Sequence, residues 1–416
     1  MKISANLSKL ANSCKNSIDL TQKQDMDGLM ENVTKLQEFP VQEIEGLAFL
    51  EDTPLEFKVA YKILKSKNFV NRITKPINVA IVFAMWGEQN RLLPKSDSNP
   101  NGEDLLNIKI DQLKWLFAGT PVNWHLYAVD DGCPHGSGKI ATRILENHSS
   151  KENVTVLFLE NELPSNSGPL KNLKSADDSR KGGAIILGCD KVLKNGADVV
   201  IYTDADNSVH LGQLGILLDK HISENFNVVL GNRKDPKSIL VKQENRWGIG
   251  IKNLRHMQRM VGVGIFSKGI LDSQAAFKLY HKDILSKILE APSVYDFSFD
   301  SDWIACVIAN NEQFAKVPFA FIDSFAESAS IVQGPMTTWE TLLKGLVTAV
   351  RKRGIEYNHE MAEVIDRQIH SSHDLELIID KLPVQLENVQ DKDLGNPDVM
   401  SPKAFEDWVI SVKKMS

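Results

Sequence analysis

Residues 199–208 read VVIYTDADNS: apolar and β-forming residues that run straight into Asp204-Ala205-Asp206. In an extended chain, positions i and i+2 share a face. Two like charges placed so close repel, and each is hard to keep ionised unless a cation sits between them. The pair therefore reads either as a solvated turn after a strand, where Asp and Asn are common, or as a site for a divalent metal.

The flanking sequence supplies the context. INVAIVFAM (77–85) is a short branched-apolar run that suits a strand buried on both faces. A helix is expected at 104–117, a strand at 124–132, a helix at 137–147 and a strand at 154–160. A further helix starts near Lys181 and leads into the strand quoted above. Strand alternating with helix implies a mostly parallel, Rossmann-like α/β sheet with helices on both faces. FNVVLGNR (226–233) reads as the next strand, 243–266 as a long helix, and FAKVPFAFID (314–323) as a late strand. Residues 1–75 show apolar residues at three- and four-residue spacing and read as helical, interrupted at Pro40 and Pro54. Helix returns from about Thr337 and ends in a polar tail.

The chain of 416 residues is 42% hydrophobic and 25% charged, ordinary for a globular protein with a sizeable core. Its formal net charge of −6 does not mark it as a nucleic-acid binder. Cys14, Cys133, Cys189 and Cys306 are scattered, without metal-ligand spacing, and read as free thiols in a reducing compartment. The N-terminus lacks a signal-peptide apolar core, and no run reaches the ~18 apolar residues needed to span a bilayer. A soluble, cytoplasmic protein is expected.

In an open parallel sheet, ligands sit beyond the carboxyl ends of the strands. Three strands here end in acidic or glycine-bearing loops: FAMWGEQNRL, VDDGCPHGSG and YTDADNS. Their convergence suits a nucleotide held through base, ribose and a metal-bound diphosphate. Carboxylates accept hydrogen bonds from base N–H and ribose hydroxyls, and glycine lets the backbone approach closely.

The ordered set VDDG, SRKGGAIILG, TDADNS, GNRKDPKS, LDSQAAFKLY and FSFDSDW, across about residues 77–350, resembles the inverting family-two glycosyltransferases. The dolichyl-phosphate glucosyltransferases and related polyprenyl-phosphate sugar transferases are the most similar. The resemblance implies a GT-A fold over 76–336, with a nucleotide-sugar half (76–233) and an acceptor half (234–336), between a helical extension (1–75) and a helical C-terminal region (337–416). It implies a Mg²⁺ or Mn²⁺ cofactor and a UDP- or GDP-sugar donor. Ala84, Trp86 and Glu88 fall in the first loop, Asp130 and Asp131 in the second, and Lys181 and Gly182 in the family's GKG segment. Asp204, Ala205 and Asp206 form the DxD motif. Arg233 matches the arginine of GSR, Asp272 and Gln274 match DTQCGFK on the acceptor side, and Asp300 matches the aspartate of FDVE.

Two departures carry meaning. The family's first loop reads like PAYNE, whereas here it is Ala84-Met85-Trp86-Gly87-Glu88. The family's membrane-facing apolar helices have no counterpart, because TTWETLLKGLVTAVRKRGIEYNHEM is amphipathic. A soluble acceptor (small molecule, glycan or protein) is therefore expected over a lipid phosphate, and a homo-oligomer is compatible with the sequence.

Sugar transfer from a nucleotide diphosphate needs charge neutralisation on the leaving group, assigned to an ion on Asp204 and Asp206 with His210 as a further candidate ligand. It needs a base for an acceptor hydroxyl, assigned first to Asp300 and alternatively to Asp302, with Arg233 a cation beside the diphosphate or acceptor. Bland readings stand beside these: Asp300 as a helix cap, Asp131 as a turn residue, Asp272 as a loop cap, Lys181 as a solvated helix-start charge, Arg233 as a surface ion pair. Two other functions compete. GEQNRLLPKS (87–96) faintly resembles the phosphate loop of sugar-phosphate nucleotidylyltransferases, though only Gly87 is present. A non-catalytic nucleotide-sugar-binding protein on the same fold is the other.

Overall fold

The run Ile77–Met85 forms strand β1, and its interior is buried on both faces. Its side chains divide with period two: Ala80 and Val82 enter one core, Val79, Ile81, Phe83 and Met85 the other. A computed structural model describes residues 3–242, 249–323 and 334–415. In it β2 (Val122–Asp130) and β3 (Val154–Phe158) lie parallel on one side of β1, and β4 (Val199–Thr203) lies parallel on the other. The full order is β3-β2-β1-β4-β7-β5-β8, with β5 at Val228–Gly231, β7 at Phe277–His281 and β8 at Phe314–Val317. β7 alone runs antiparallel, to both β4 and β5. A small parallel pair, β6 (Ile239–Val241) with β9 (Ala320–Ile322), sits apart.

One face of the sheet is covered by α5 (Leu105–Phe117), α6 (Ser137–Glu146) and α8 (Leu214–Glu224). The other carries α7 (Gly182–Lys194), α9 (Ile251–Val261), α11 (Lys282–Glu290) and α12 (Phe299–Ala309). The C-terminal helices α13 (Pro335–Arg353), α14 (His359–Gln368), α15 (Ser372–Ile379), α16 (Val384–Glu387) and α17 (Pro402–Met415) share that second core. The helix expected over 243–266 is shorter: 243–248 lie outside the described residues, and α9 stops at Gly262 before the brief α10 (Val263–Phe266).

The N-terminal helices α1 (Ala5–Ser13), α2 (Lys23–Leu36) and α3 (Val41–Ala48) form a third core with α4 (Leu55–Val70). α4 joins this layer to the sheet. Phe57, Ala60, Ile63 and Leu64 belong to the N-terminal core, while Phe69 and Val70 belong to a sheet core. Lys67 Nζ donates to the carbonyls of Trp115 and Leu116 at the end of α5 (2.9 and 2.8 Å), and Ser66 Oγ accepts from Gly215 N at the start of α8 (2.8 Å). Among the described residues no helix is long and apolar enough to cross a membrane.

Candidate active site

β1, β2 and β4 bring their carboxyl ends to one rim, where Asp131 N donates to Met85 O (3.0 Å). A cavity of about 930 Å³ opens there. Its acids include Glu88, Asp131, Asp204 and Asp206, which line it with Ala84, Trp86, Ala205 and Lys181. The lining also holds the cations Arg233, Lys234, Lys242, Arg255 and Arg259, with Asp272, Gln274 and the Thr337–Thr338–Trp339 stretch of α13.

Each of these four carboxylates has a distinct anchor. Glu88 Oε2 accepts from Arg91 Nη1 (2.9 Å), and Arg91 also reaches Glu103 (3.2 Å). Burial pushes the Glu88 carboxyl up, against the pull of Arg91. Burial likewise raises Asp131 to about 7, although it accepts from Ser179 Oγ and from the Lys181 backbone N–H. Those bonds fix a turn in which Arg180 and Lys181 both adopt positive φ (45° and 89°), rare for residues with a side chain. The turn sends the Lys181 ammonium onto Asp204 Oδ1. Burial opposes charge on Asp204, but Lys181 overrides it and holds the carboxyl below its ordinary range. Asp206 uses one carboxylate oxygen on Ser208 N (3.1 Å), while its carbonyl accepts from the fully buried Lys109 (2.9 Å). Trp86 stands edge-on to His135, ring centroids 6.3 Å apart, a flat apolar face beside the acids.

Among the cations, Arg233 grips Asp272 with its Nε and Nη2 (2.9 and 2.7 Å) as well as its backbone N–H (2.8 Å). Burial works against the Asp272 carboxylate, but this fork holds its pKa low. Asp391 serves both Arg255 (3.0 Å) and Arg259 (2.5 Å). Lys234 and Lys242 make no ion pair with an acid among the described residues. Burial, then repulsion from neighbouring arginines, lowers both ammonium pKa values.

Five sequence-based assignments fall elsewhere. Asp300 is buried beneath the cavity, bonded to Tyr202 Oη and to Lys278 Nζ (2.8 Å), and burial pushes its carboxyl well up. Asp302 is held by Arg353 (2.7 and 2.8 Å) and by Ser293 (2.6 Å) inside the α12–α13 contact. Neither lines the cavity, because the i and i+2 positions at the start of α12 both turn into the core. His210 is also buried; its Nδ1 accepts from Gly212 N (2.9 Å), burial lowers its pKa to about 3, and it does not line the cavity. Asp130 accepts from Cys133 N (2.8 Å) and Gly138 N (2.5 Å), securing the start of α6. Gly182 acts through its backbone: a Cβ there would lie 2.4 Å from Tyr295 O, and the next N–H, of Gly183, donates to that carbonyl (2.8 Å).

No protein-family model matches the chain. The polyprenol monophosphomannose synthase of Mycolicibacterium smegmatis is 25% identical over 201 residues, 48% of this chain and 67% of that protein. This bears out the resemblance to polyprenyl-phosphate sugar transferases read from the motifs. The seven-stranded, mostly parallel sheet with helices on both faces is the α/β architecture expected from the sequence. Two solved structures are also similar. Mannosyl-3-phosphoglycerate synthase from Rubrobacter xylanophilus gives 12% identity and a TM-score of 0.45, covering 70% of this chain and 78% of that one. Glucosyl-3-phosphoglycerate synthase from Mycobacterium tuberculosis, in complex with Mn²⁺, UDP and glucosyl-3-phosphoglycerate, gives 12% and 0.44, covering 71% and 85%.

The fit of a divalent ion is decided by the donor set. Asp204 and Asp206 offer the all-oxygen ligation that Mg²⁺ or Mn²⁺ takes. No group of three or more His, Cys, Asp or Glu among the described residues is placed to hold a metal. The site thus fits an ion that completes its shell with water and phosphate oxygens, not a closed protein cage. Sequence reasoning missed Asp296, which lines the cavity, and the Lys109 and Glu103 supports behind the DxD loop. Only Arg91, three residues after Glu88, carried a local signal, since i and i+3 meet on one turn.

Proposed function

We propose that this chain is an inverting, metal-dependent glycosyltransferase that moves a hexosyl group from a nucleoside-diphosphate sugar to a soluble acceptor bearing an anionic group. The observation that carries the reading is one cavity lined both by the DxD pair and by five cations, Arg233, Lys234, Lys242, Arg255 and Arg259. Support also comes from the 25% identity to a polyprenol monophosphomannose synthase.

Trp86 offers a face for the base, and Glu88 an acceptor for base or ribose hydrogens. Asp204 and Asp206 would hold the divalent ion, which when bound neutralises charge on the departing diphosphate. Lys181 adds a positive charge beside Asp204. In the same cavity, Lys234, Lys242 and Arg255 attract the anionic group and orient the acceptor toward the anomeric carbon. Asp296 takes the role first assigned to Asp300. It lines the cavity, burial raises its carboxyl above the ordinary range, and its Oδ1 accepts from Ser298 N (2.8 Å) and Ser298 Oγ (2.5 Å), fixing it in place. From there it takes the proton of an acceptor hydroxyl. One in-line displacement inverts the anomeric centre. The phosphate-loop reading of residues 87–96 is disfavoured because Arg91 is committed to Glu88 and Glu103.

The test is turnover of UDP-, GDP-, dTDP- and ADP-sugars with Mn²⁺ or Mg²⁺. One donor should be hydrolysed slowly, accelerated by 3-phosphoglycerate or another phosphate- or carboxylate-bearing acceptor, and spared by chelation or Asp206→Ala. Product formation only from a nucleoside triphosphate plus a sugar 1-phosphate would establish a nucleotidylyltransferase. Binding without turnover across the panel would establish a binding protein.

A further inference from the structure

Lys181 is an anomaly in a site that is to receive a divalent cation. Its ammonium already sits on Asp204, half of the DxD pair at the rim, at hydrogen-bond contact. The backbone that aims it is strained at two consecutive residues, Arg180 and Lys181, both at positive φ. Such strain persists only where surroundings impose it, and it concentrates at functional positions. Here Asp131 imposes it, through Ser179 Oγ and the Lys181 N–H, while Gly183 N is tied to Tyr295 O. The ammonium is therefore placed by design of the fold and is not a stray surface charge.

The second observation is the ligand count. Asp204 and Asp206 stand without a third His, Cys, Asp or Glu ligand among the described residues. A doubly charged ion arriving at these two acids would meet a single positive charge already on one of them. Two cations on one carboxylate repel, so the free protein disfavours the ion. A nucleoside diphosphate changes the balance, because its phosphate oxygens both ligate the ion and accept the ammonium. While on Asp204, the Lys181 Nζ also lies 5.3 Å from the centroid of Phe297, which lines the same cavity, so the ammonium already faces the space a diphosphate would enter.

We infer that Lys181 is an exchangeable cation that occupies Asp204 in the free protein and moves to the donor diphosphate when ion and nucleotide bind, so that metal and nucleotide load together. This rests on the metal-dependent reading above. It makes Lys181 a catalytic residue that contacts the leaving group, and it makes ion and nucleotide affinities mutually dependent.

The experiment is a Mn²⁺ titration of the purified full chain, followed by the electron paramagnetic resonance signal of free Mn²⁺, alone and with saturating UDP or GDP. The wild type should bind Mn²⁺ weakly alone and at least tenfold more tightly with the nucleotide it accepts. Lys181→Met and Lys181→Gln should bind Mn²⁺ alone about tenfold more tightly than wild type, and the strengthening by nucleotide should shrink. Lys181→Arg should stay close to wild type. Circular dichroism and thermal unfolding identify which of the two neutral variants is folded and read. Neutral variants that bind Mn²⁺ alone no more tightly than wild type overturn the inference, while nucleotide-dependent Mn²⁺ binding by wild type leaves the proposed function standing. Absence of Mn²⁺ binding in every protein, with either nucleotide, overturns both.

Discussion

At the residue scale, the account turns on which acids face the cavity. Asp296 does, and Asp300 and Asp302 do not. Asp296→Asn should lower kcat by roughly 10²–10⁴-fold with little change in donor KM, as removal of a general base does; steady-state kinetics with the acceptor found in the donor panel would check it. The DxD pair was legible in sequence because the i, i+2 relation is local and holds in any extended segment. The base was not. What turns Asp300 and Asp302 inward are Lys278 and Arg353, which lie 22 and 51 residues away in the chain. His210 shows the same limit, since proximity to Asp206 in sequence says nothing of the direction in which the imidazole is buried. Its burial has a measurable consequence. Folded His210 titrates at about 3, below the ~6.5 of an exposed histidine. Between those values the unfolded chain binds a proton that the folded one refuses. The His210 contribution is thus intact above pH ~6.5 and is lost as pH falls toward 3, on the order of 4 kcal/mol in all. His210→Asn keeps a side-chain acceptor for Gly212 N and should flatten the acid limb of denaturation midpoint against pH.

At the element scale, strands covered on both faces were readable from apolar runs. β1 occupies Ile77–Met85, the same nine residues as the run INVAIVFAM. The direction of β7 was not readable, because pairing polarity is set by where the chain returns to the sheet and leaves no mark in the strand's own composition. Nor did the sequence reveal that α4 serves two other helices as a cap. Lys67 supplies the orphan carbonyls at the end of α5, and α5 in turn presents Lys109 to the Asp206 carbonyl. The N-terminal layer is in this way linked mechanically to the DxD loop. Lys67→Met should cost about 1–2 kcal/mol of stability, the scale of a partly buried cation at a helix C-terminus. Urea denaturation would read this as a lower midpoint at unchanged slope.

At the scale of the whole molecule, the site belongs to no single layer. The sheet rim supplies the acids, α9 and the segment after β5 supply the cations, and α13 closes the far wall with Thr337, Thr338 and Trp339. Asp391, far along the C-terminal region, holds Arg255 and Arg259 in place. Assembly from distant segments explains why motifs along the chain disclosed the rim more fully than the cationic wall. Those cations are spread from residue 233 to residue 259 with no spacing that marks them as a set. The central claim is that Asp204 and Asp206 hold a divalent ion against a nucleotide diphosphate. Anomalous diffraction from crystals grown with Mn²⁺ and the preferred nucleoside diphosphate tests it directly. The account predicts a Mn²⁺ peak at about 2.0–2.2 Å from carboxylate oxygens of both residues, bridged to the diphosphate, with the Lys181 ammonium released from Asp204. Nucleotide density with no anomalous peak at the pair, or with the two carboxylates directed apart, would contradict it.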